Sequence, residues 1–148
     1  MRLELTRRSD YAVRAMTFLA GRRGELVTSA RIQEATDIPA RFVVPVMSDL
    51  ARAELVETVL GRSGGYRLDR EPMDISVLAV VTAVEGVEKR TLCALNQRLC
   101  GAVRCRLHVV LERANEAFRA ELDATSLASL VSAQPVRSAA EGGPVHLA

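Results

Sequence analysis

Three amphipathic stretches followed by a glycine-punctuated hairpin constrain this chain more than any other feature. Residues 9–22 place Tyr11, Ala12, Ala15, Met16, Phe18 and Leu19 on one broad apolar face, which predicts a helix that Ser9 or Asp10 can cap. Thr28 is set to cap a short second helix, Ser29 to Ala35, with Ile32 turned inward. A third helix is expected from Pro39 to about Ala53, with Ile38, Phe42, Val43, Val46 and Leu50 spaced for a core. Pro45 falls inside it, where a proline costs about 3 kcal/mol and bends the helix. Two short strands follow: Leu55 to Leu60, the turn Gly61-Arg62-Ser63-Gly64-Gly65, and the return Tyr66-Arg67-Leu68. Three helices and then a hairpin is the order of a winged helix-turn-helix, so the expected fold is mainly α.

The rest of the chain reads as helical. Pro72 to Asp74 marks a boundary, Ile75 to Val87 a fourth helix, 88–102 a loop, 103–123 the longest helix, and Ser126 to Ser132 a short one. The expected division is therefore 1–72 for DNA reading, 73–132 for a cysteine loop and dimerisation helices, and 133–148 for a disordered tail with Pro135, Gly142, Gly143 and Pro144. The long helix carries Val103, Leu107, Val110, Leu111, Ala114, Ala117, Phe118 and Leu122 at helical spacing. That stripe is longer than one small domain can cover, and its exposed remainder suits a second copy of the chain, hence a homodimer. Of the 148 residues 49% are apolar, enough for a single core. Met1-Arg2-Leu3-Glu4 opens no apolar signal segment, and no apolar run reaches membrane length, so a cytoplasmic chain with reduced thiols is expected. There is no phosphate-binding loop and no paired base and nucleophile, which argues against an enzyme.

Helix-turn-helix units place their second helix in the major groove of DNA. Here that helix begins at Pro39 and turns Ala40, Arg41, Val44 and Pro45 outward. Arg41 can read guanine or clamp a phosphate, and Val44 can touch a thymine methyl; a solvated helix end accounts for Arg41 without DNA. The Arg62-Ser63-Gly64-Gly65-Tyr66-Arg67 stretch has the make-up of a wing tip for a minor groove, with glycines for close backbone approach and an arginine on either side. An ordinary charged glycine hairpin has the same composition. Net charge over the whole chain is only +2, but residues 1–70 hold 12 Arg against 9 acids, and residues 71–148 hold 8 basic against 9 acidic side chains. The basic side is the expected reading side.

All three cysteines, Cys93, Cys100 and Cys105, fall within thirteen residues. An odd number clustered in a reducing compartment points to metal or redox chemistry rather than to a disulfide framework. The intervals, six residues and then four, are loose for a zinc knuckle and suit a larger iron–sulfur cluster. Three thiolates leave a fourth site. His108, one helical turn past Cys105, can face the same side, and a hard carboxylate is the other option. A zinc-stabilised interaction domain remains the reading from a different class.

Several segments together resemble the Rrf2 family of bacterial iron–sulfur winged-helix transcription regulators, the IscR, NsrR and RirA type. Met1-Arg2-Leu3 with Asp10-Tyr11-Ala12-Val13-Arg14-Ala15-Met16 looks like the family's first helix, and Gly64-Gly65-Tyr66-Arg67-Leu68 looks like its wing. Ile75-Ser76-Val77-Leu78 and Ala83-Val84-Glu85-Gly86 look like the helix before the cysteine loop. Cys105-Arg106-Leu107, Ala117-Phe118, Leu122-Asp123 and Ser126-Leu127 look like the dimer helix and its end. The resemblance spans about residues 1–132 and is nearest the NsrR branch. It implies a dimer on a palindromic promoter site, acting as a repressor, with a cluster held by the three cysteines. It further implies that Asp10, reaching over from the partner subunit, is the fourth ligand of a 4Fe–4S cluster that nitric oxide attacks. In the IscR branch the place of His108 supplies that ligand to a 2Fe–2S cluster, with an iron-supply or redox signal. The chain departs from the family pattern at Leu60, where an arginine is usual, at Arg62 and Ser63, where proline and glycine are usual, and at Glu54, where glycine is common. Val44 and Pro45 likewise stand where polar groove-facing residues are usual.

Overall fold

A computed structural model describes residues 4–86 and 105–133. Cys93 and Cys100, the expected loop over 88–102 and the expected tail from Gln134 lie outside the described residues. Helix α1 spans Arg7–Ala20. Its cap is neither Ser9 nor Asp10 but Thr6, whose Oγ1 accepts the Ser9 N–H at 3.2 Å. Ser9 is fully buried, and its hydroxyl donates to Glu85 instead. Asp10 stands inside the first turn, where the helix dipole favours a carboxylate. Ala12, Ala15, Met16 and Leu19 form the buried face, and the small alanines let neighbouring elements pack close.

Thr28 caps helix α2, Ser29–Thr36, as expected, and Ile32 is completely buried. Asp37, left-handed at φ 57, stops it, a conformation that Asp tolerates. Helix α3, Ala40–Arg52, runs through Pro45 without a break, and Pro39 is its cap rather than its first turn. Val43, Val46, Met47 and Leu50 are buried, so Met47 joins the expected core and Phe42 is only half-buried.

The exit of α3 explains the departure at residue 54. The Leu55 N–H bonds to the Leu50 carbonyl at 3.1 Å and the Glu54 N–H to that of Ala51 at 3.0 Å, with Leu50 and Leu55 both buried. This is a Schellman stop, whose left-handed position glycine normally fills. Glu54 takes it at φ 57.

Strands β1, Val56–Val59, and β2, Gly65–Leu68, pair antiparallel with Val56 opposite Leu68 and Val59 opposite Gly65. Val27, between α1 and α2, adds a one-residue third edge through mutual bonds with Tyr66 of 2.9 and 2.8 Å. A Cβ on Gly65 would lie 2.7 Å from the Val27 oxygen, and one on Gly64 would lie 2.1 Å from the Val59 oxygen. Both glycines are thus demanded by close approach within the protein itself.

After a 3-10 turn at Pro72–Asp74 come α4, Val77–Glu85, then α5, Arg106–Ala124, and α6, Leu127–Ala133. Ser76 caps α4, accepting from the Ala79 N–H at 3.1 Å, and donates to Asp123 on α5 at 3.0 Å. Ile75, Val80, Val84 and Leu127 belong to the same core as Met16, Ile32 and Leu50. The fold is the expected one, mainly helical with a two-stranded wing. Among the described residues, no helix is long and apolar enough to cross a membrane.

Two substitutions should move stability in opposite directions in urea unfolding. Glu54→Gly relieves the left-handed position and should stabilise by about 1 kcal/mol. Gly65→Ala drives a methyl against the Val27 backbone and should destabilise by about 1–3 kcal/mol.

Candidate nucleic-acid interface and cysteine centre

The periodicity that buries Val43, Val46 and Met47 turns Ala40, Arg41, Val44 and Pro45 to solvent, and Val44 is 52% exposed. The Arg41 guanidinium lies 5.0 Å from the centre of the Phe42 ring, which steadies it at the start of α3. α3 leads straight into β1 through Ala53 and Glu54, so the hairpin is tied to this helix by the Schellman bonds.

The hairpin sorts its candidate residues into two kinds. Arg62 and Ser63 are exposed at its tip beside Leu60, which is 89% exposed. Arg62 forms no ion pair among the described residues. Gly64, Gly65 and Tyr66 are half-buried; Tyr66 makes the bridge to Val27, Gly65 packs against Val27, and Gly64 packs against the Val59 carbonyl. Arg67 sits opposite Glu57 in the strand register, and its Nε donates to Glu57 Oε2 at 2.7 Å. That hydrogen bond, with the attraction between the charges, holds the Glu57 carboxyl below its ordinary range and lifts Arg67 above its own. Arg67 is therefore already engaged, a pairing that the cross-strand register shows and composition does not. Arg31 on α2, not singled out from sequence, is also exposed but pairs with Glu34 at 2.9 Å.

Cys105 is the N-cap of α5, and its Sγ accepts the His108 N–H at 3.3 Å. A cysteine sulfur is a soft donor of the kind that ligates iron or zinc, and one at the head of a helix fits a soft-metal donor set. The three-residue interval to His108 is the spacing of a cap as well as of a ligand pair. Asp10, half-buried, pairs with Arg14 at 2.6 Å one turn along α1. Since Thr6 is the cap, the Asp10 carboxylate is not committed to capping. Among the described residues, no three His, Cys, Asp or Glu side chains come together as a metal site.

None of the residues of α5 is buried, and Leu107, Val110 and Leu111 on successive turns are 39, 60 and 50% exposed.

The profile of the Rrf2 family, described as "Iron-dependent Transcriptional regulator", matches residues 5–133. The chain is 36% identical over 132 residues to the HTH-type transcriptional regulator NsrR of Bacillus subtilis, covering 87% of this chain and 90% of that one. It is 34% identical over 135 residues to the HTH-type transcriptional regulator IscR of Sodalis glossinidius, covering 90% and 82%. The solved structure of T. potens IscR superposes with a TM-score of 0.75 at 27% identity, covering 95% of this chain and 94% of that one.

Binding to duplex DNA, followed from about 50 to 200 mM salt, should separate the two wing arginines. Arg62→Ala should flatten the plot of log affinity against log salt by about one unit, whereas Glu57→Gln, which releases Arg67, should steepen it by about one.

Proposed function

The chain belongs to the Rrf2 family of transcriptional regulators, DNA-binding proteins that are typically dimeric, and we propose that it is a repressor gated by an iron–sulfur cluster and released from a palindromic operator by nitric oxide. Residues 1–72 would read DNA and residues 73–132 would carry the cluster ligands and the dimer helix. Cys93, Cys100 and Cys105 would hold the cluster, 4Fe–4S in type, with Asp10 of the partner subunit completing it.

The observation that carries this reading is the position of Cys105 at the head of α5. There its sulfur, a soft donor, heads the helix whose unburied stripe of Leu107, Val110 and Leu111 begins two residues on. A ligand at the root of a dimer helix is well placed to feel a second subunit. When bound, the cluster supplies iron that nitric oxide can attack. Asp10 is the hard oxygen donor among soft thiolates, hence the weak one. Arg14, 2.6 Å away on its own helix, gives that carboxylate a partner to return to. Arg41, Val44, Arg62 and Ser63 would face DNA, with Gly64, Gly65, Tyr66 and Arg67 shaping the wing that presents them. Half-sites of a palindrome lie about one helical turn apart, so a small rotation of the two heads weakens both contacts together.

A second reading rests on His108, half-buried, with its backbone N–H on the Cys105 sulfur. With His108 as fourth ligand, the cluster would be 2Fe–2S and the signal iron supply or redox state.

Protein purified without oxygen tests these directly by absorption spectrum with iron and sulfide analysis, before and after nitric oxide. About four irons per chain, bleached by nitric oxide and altered by Asp10→Ala but not His108→Ala, is the expected result. About two irons and a spectrum altered only by His108→Ala would favour the second reading. Colourless protein holding zinc would sink both. Cys100→Ala should abolish the response of DNA binding to nitric oxide.

A further inference from the structure

The first turn of α1 is bonded at once to the reading helix and to the end of α4. Arg8 Nε donates to the Val84 carbonyl at 3.1 Å, while the same guanidinium pairs through Nη2 with Asp49. Val84 lies in the last turn of α4, where carbonyls have no partner within the helix. Asp49 lies in the last turns of α3, its side chain 15% exposed. Thr6 Oγ1 donates to Glu85 Oε1 at 2.7 Å while accepting the Ser9 N–H, and Ser9 Oγ donates to the same carboxylate oxygen. The end of α4 therefore holds the hydroxyls at the start of α1, and Arg8 caps the end of α4. Beyond Gly86, which leaves α4 at φ 78, the chain runs seven residues to Cys93.

We infer that Arg8 is a positioning residue that couples residues 84–86, the root of the cysteine segment, to the reading helix α3. The inference rests on the cluster-gated reading for the signal it transmits, but the bonds themselves do not depend on it. A guanidinium is planar, so its two bonds share one rigid frame. A displacement of about 0.5 Å at Val84 takes the 3.1 Å bond out of range unless Arg8 follows. If Arg8 follows, Asp49 and the last turns of α3 are pulled with it. Arg52 also holds Asp49, at 3.1 Å, so removing Arg8 does not strand a half-buried carboxylate without a cation.

The test uses the full chain and a duplex selected by the wild-type holoprotein from a random-sequence pool. The readout is the ratio of operator affinities with and without cluster, beside cluster content and thermal midpoint. In wild type that ratio should fall in the range of about 5–150-fold common for coupled sites. Arg8→Gln and Asp49→Asn should each bring it toward one at unchanged cluster content, and the double variant should add nothing further. Arg8→Lys keeps the charge for Asp49 without the second in-plane bond and should give an intermediate ratio. A merely structural Arg8 would lower the thermal midpoint and both affinities together, leaving the ratio intact, and that result would overturn the proposal. Hydrogen exchange on the apo-protein keeps the two ideas apart. Asp49→Asn should speed exchange at Glu85 and Gly86; unchanged rates overturn the coupling even where wild type is gated. A wild-type ratio of one beside transmitted exchange overturns the cluster-gated reading and supports the mechanical link.

Discussion

Burial of one face of α1 is the constraint on which the rest of this structure depends. Ala12, Ala15, Met16 and Leu19 are almost wholly removed from water, and α2, α3, α4 and α6 all pack around the same helix. Because Ala12 and Ala15 are small, the surrounding helices approach closely, and Ile32, Leu50, Val80 and Leu127 share one core. The reading helix and the helix that leads to the cysteine segment are thus two neighbours of a single post. Well-packed interiors transmit displacement rather than absorb it. Helices that share one core in this way need no separate hinge to be displaced together.

Net charge conceals how the basic half works. Arg8, Arg14, Arg23, Arg31, Arg52 and Arg67 each pair with a carboxylate, Arg8 and Arg52 sharing Asp49, so these cations are already engaged within the protein. Arg41 and Arg62 have no ion pair among the described residues, and both stand at the ends of elements that project from the core. Unpaired cations release counterions when they meet phosphate, and paired ones must first give up their own partner. Which arginines are unpaired therefore says more about the interface than how many there are.

Much of this was legible in the sequence, and the exceptions have physical reasons. Apolar spacing marked α1, α3 and α5, because a buried face must repeat about every 3.6 residues, while the Thr28 cap marked α2 and the 3-10 turn at Pro72–Asp74 read only as a boundary. The α1 cap was not legible: Ser9 and Asp10 have the right chemistry, and only the contact of Ser9 with Glu85, 76 residues on, disqualifies it. The Val27 edge spans one residue and leaves no pattern. Glu54 was visible as a departure from a usual glycine, but the left-handed Schellman position supplies the cause. Gly64 and Gly65 read as glycines for close approach to a minor groove, and the approaches the structure describes are to Val59 and Val27 of the same chain. Of the cysteine centre only Cys105, Asp10 and His108 have a described setting, and their chemistry was more legible than their roles.

Successive residues on a helix point about 100° apart, and the first turn of α1 uses that geometry fully. Arg8 faces α3 and the end of α4, Ser9 is buried against Glu85, and Asp10 pairs with Arg14. Thr6, by taking over the capping role, leaves all three side chains available for these separate contacts. Had Ser9 or Asp10 capped the helix, either the bond to Glu85 or the Asp10 carboxylate would have been spent locally. The Thr6 cap leaves the Asp10 carboxylate near the helix end, paired with Arg14 and not consumed by capping. The same turn carries Arg8, two residues before Asp10, which pairs with Asp49 on α3.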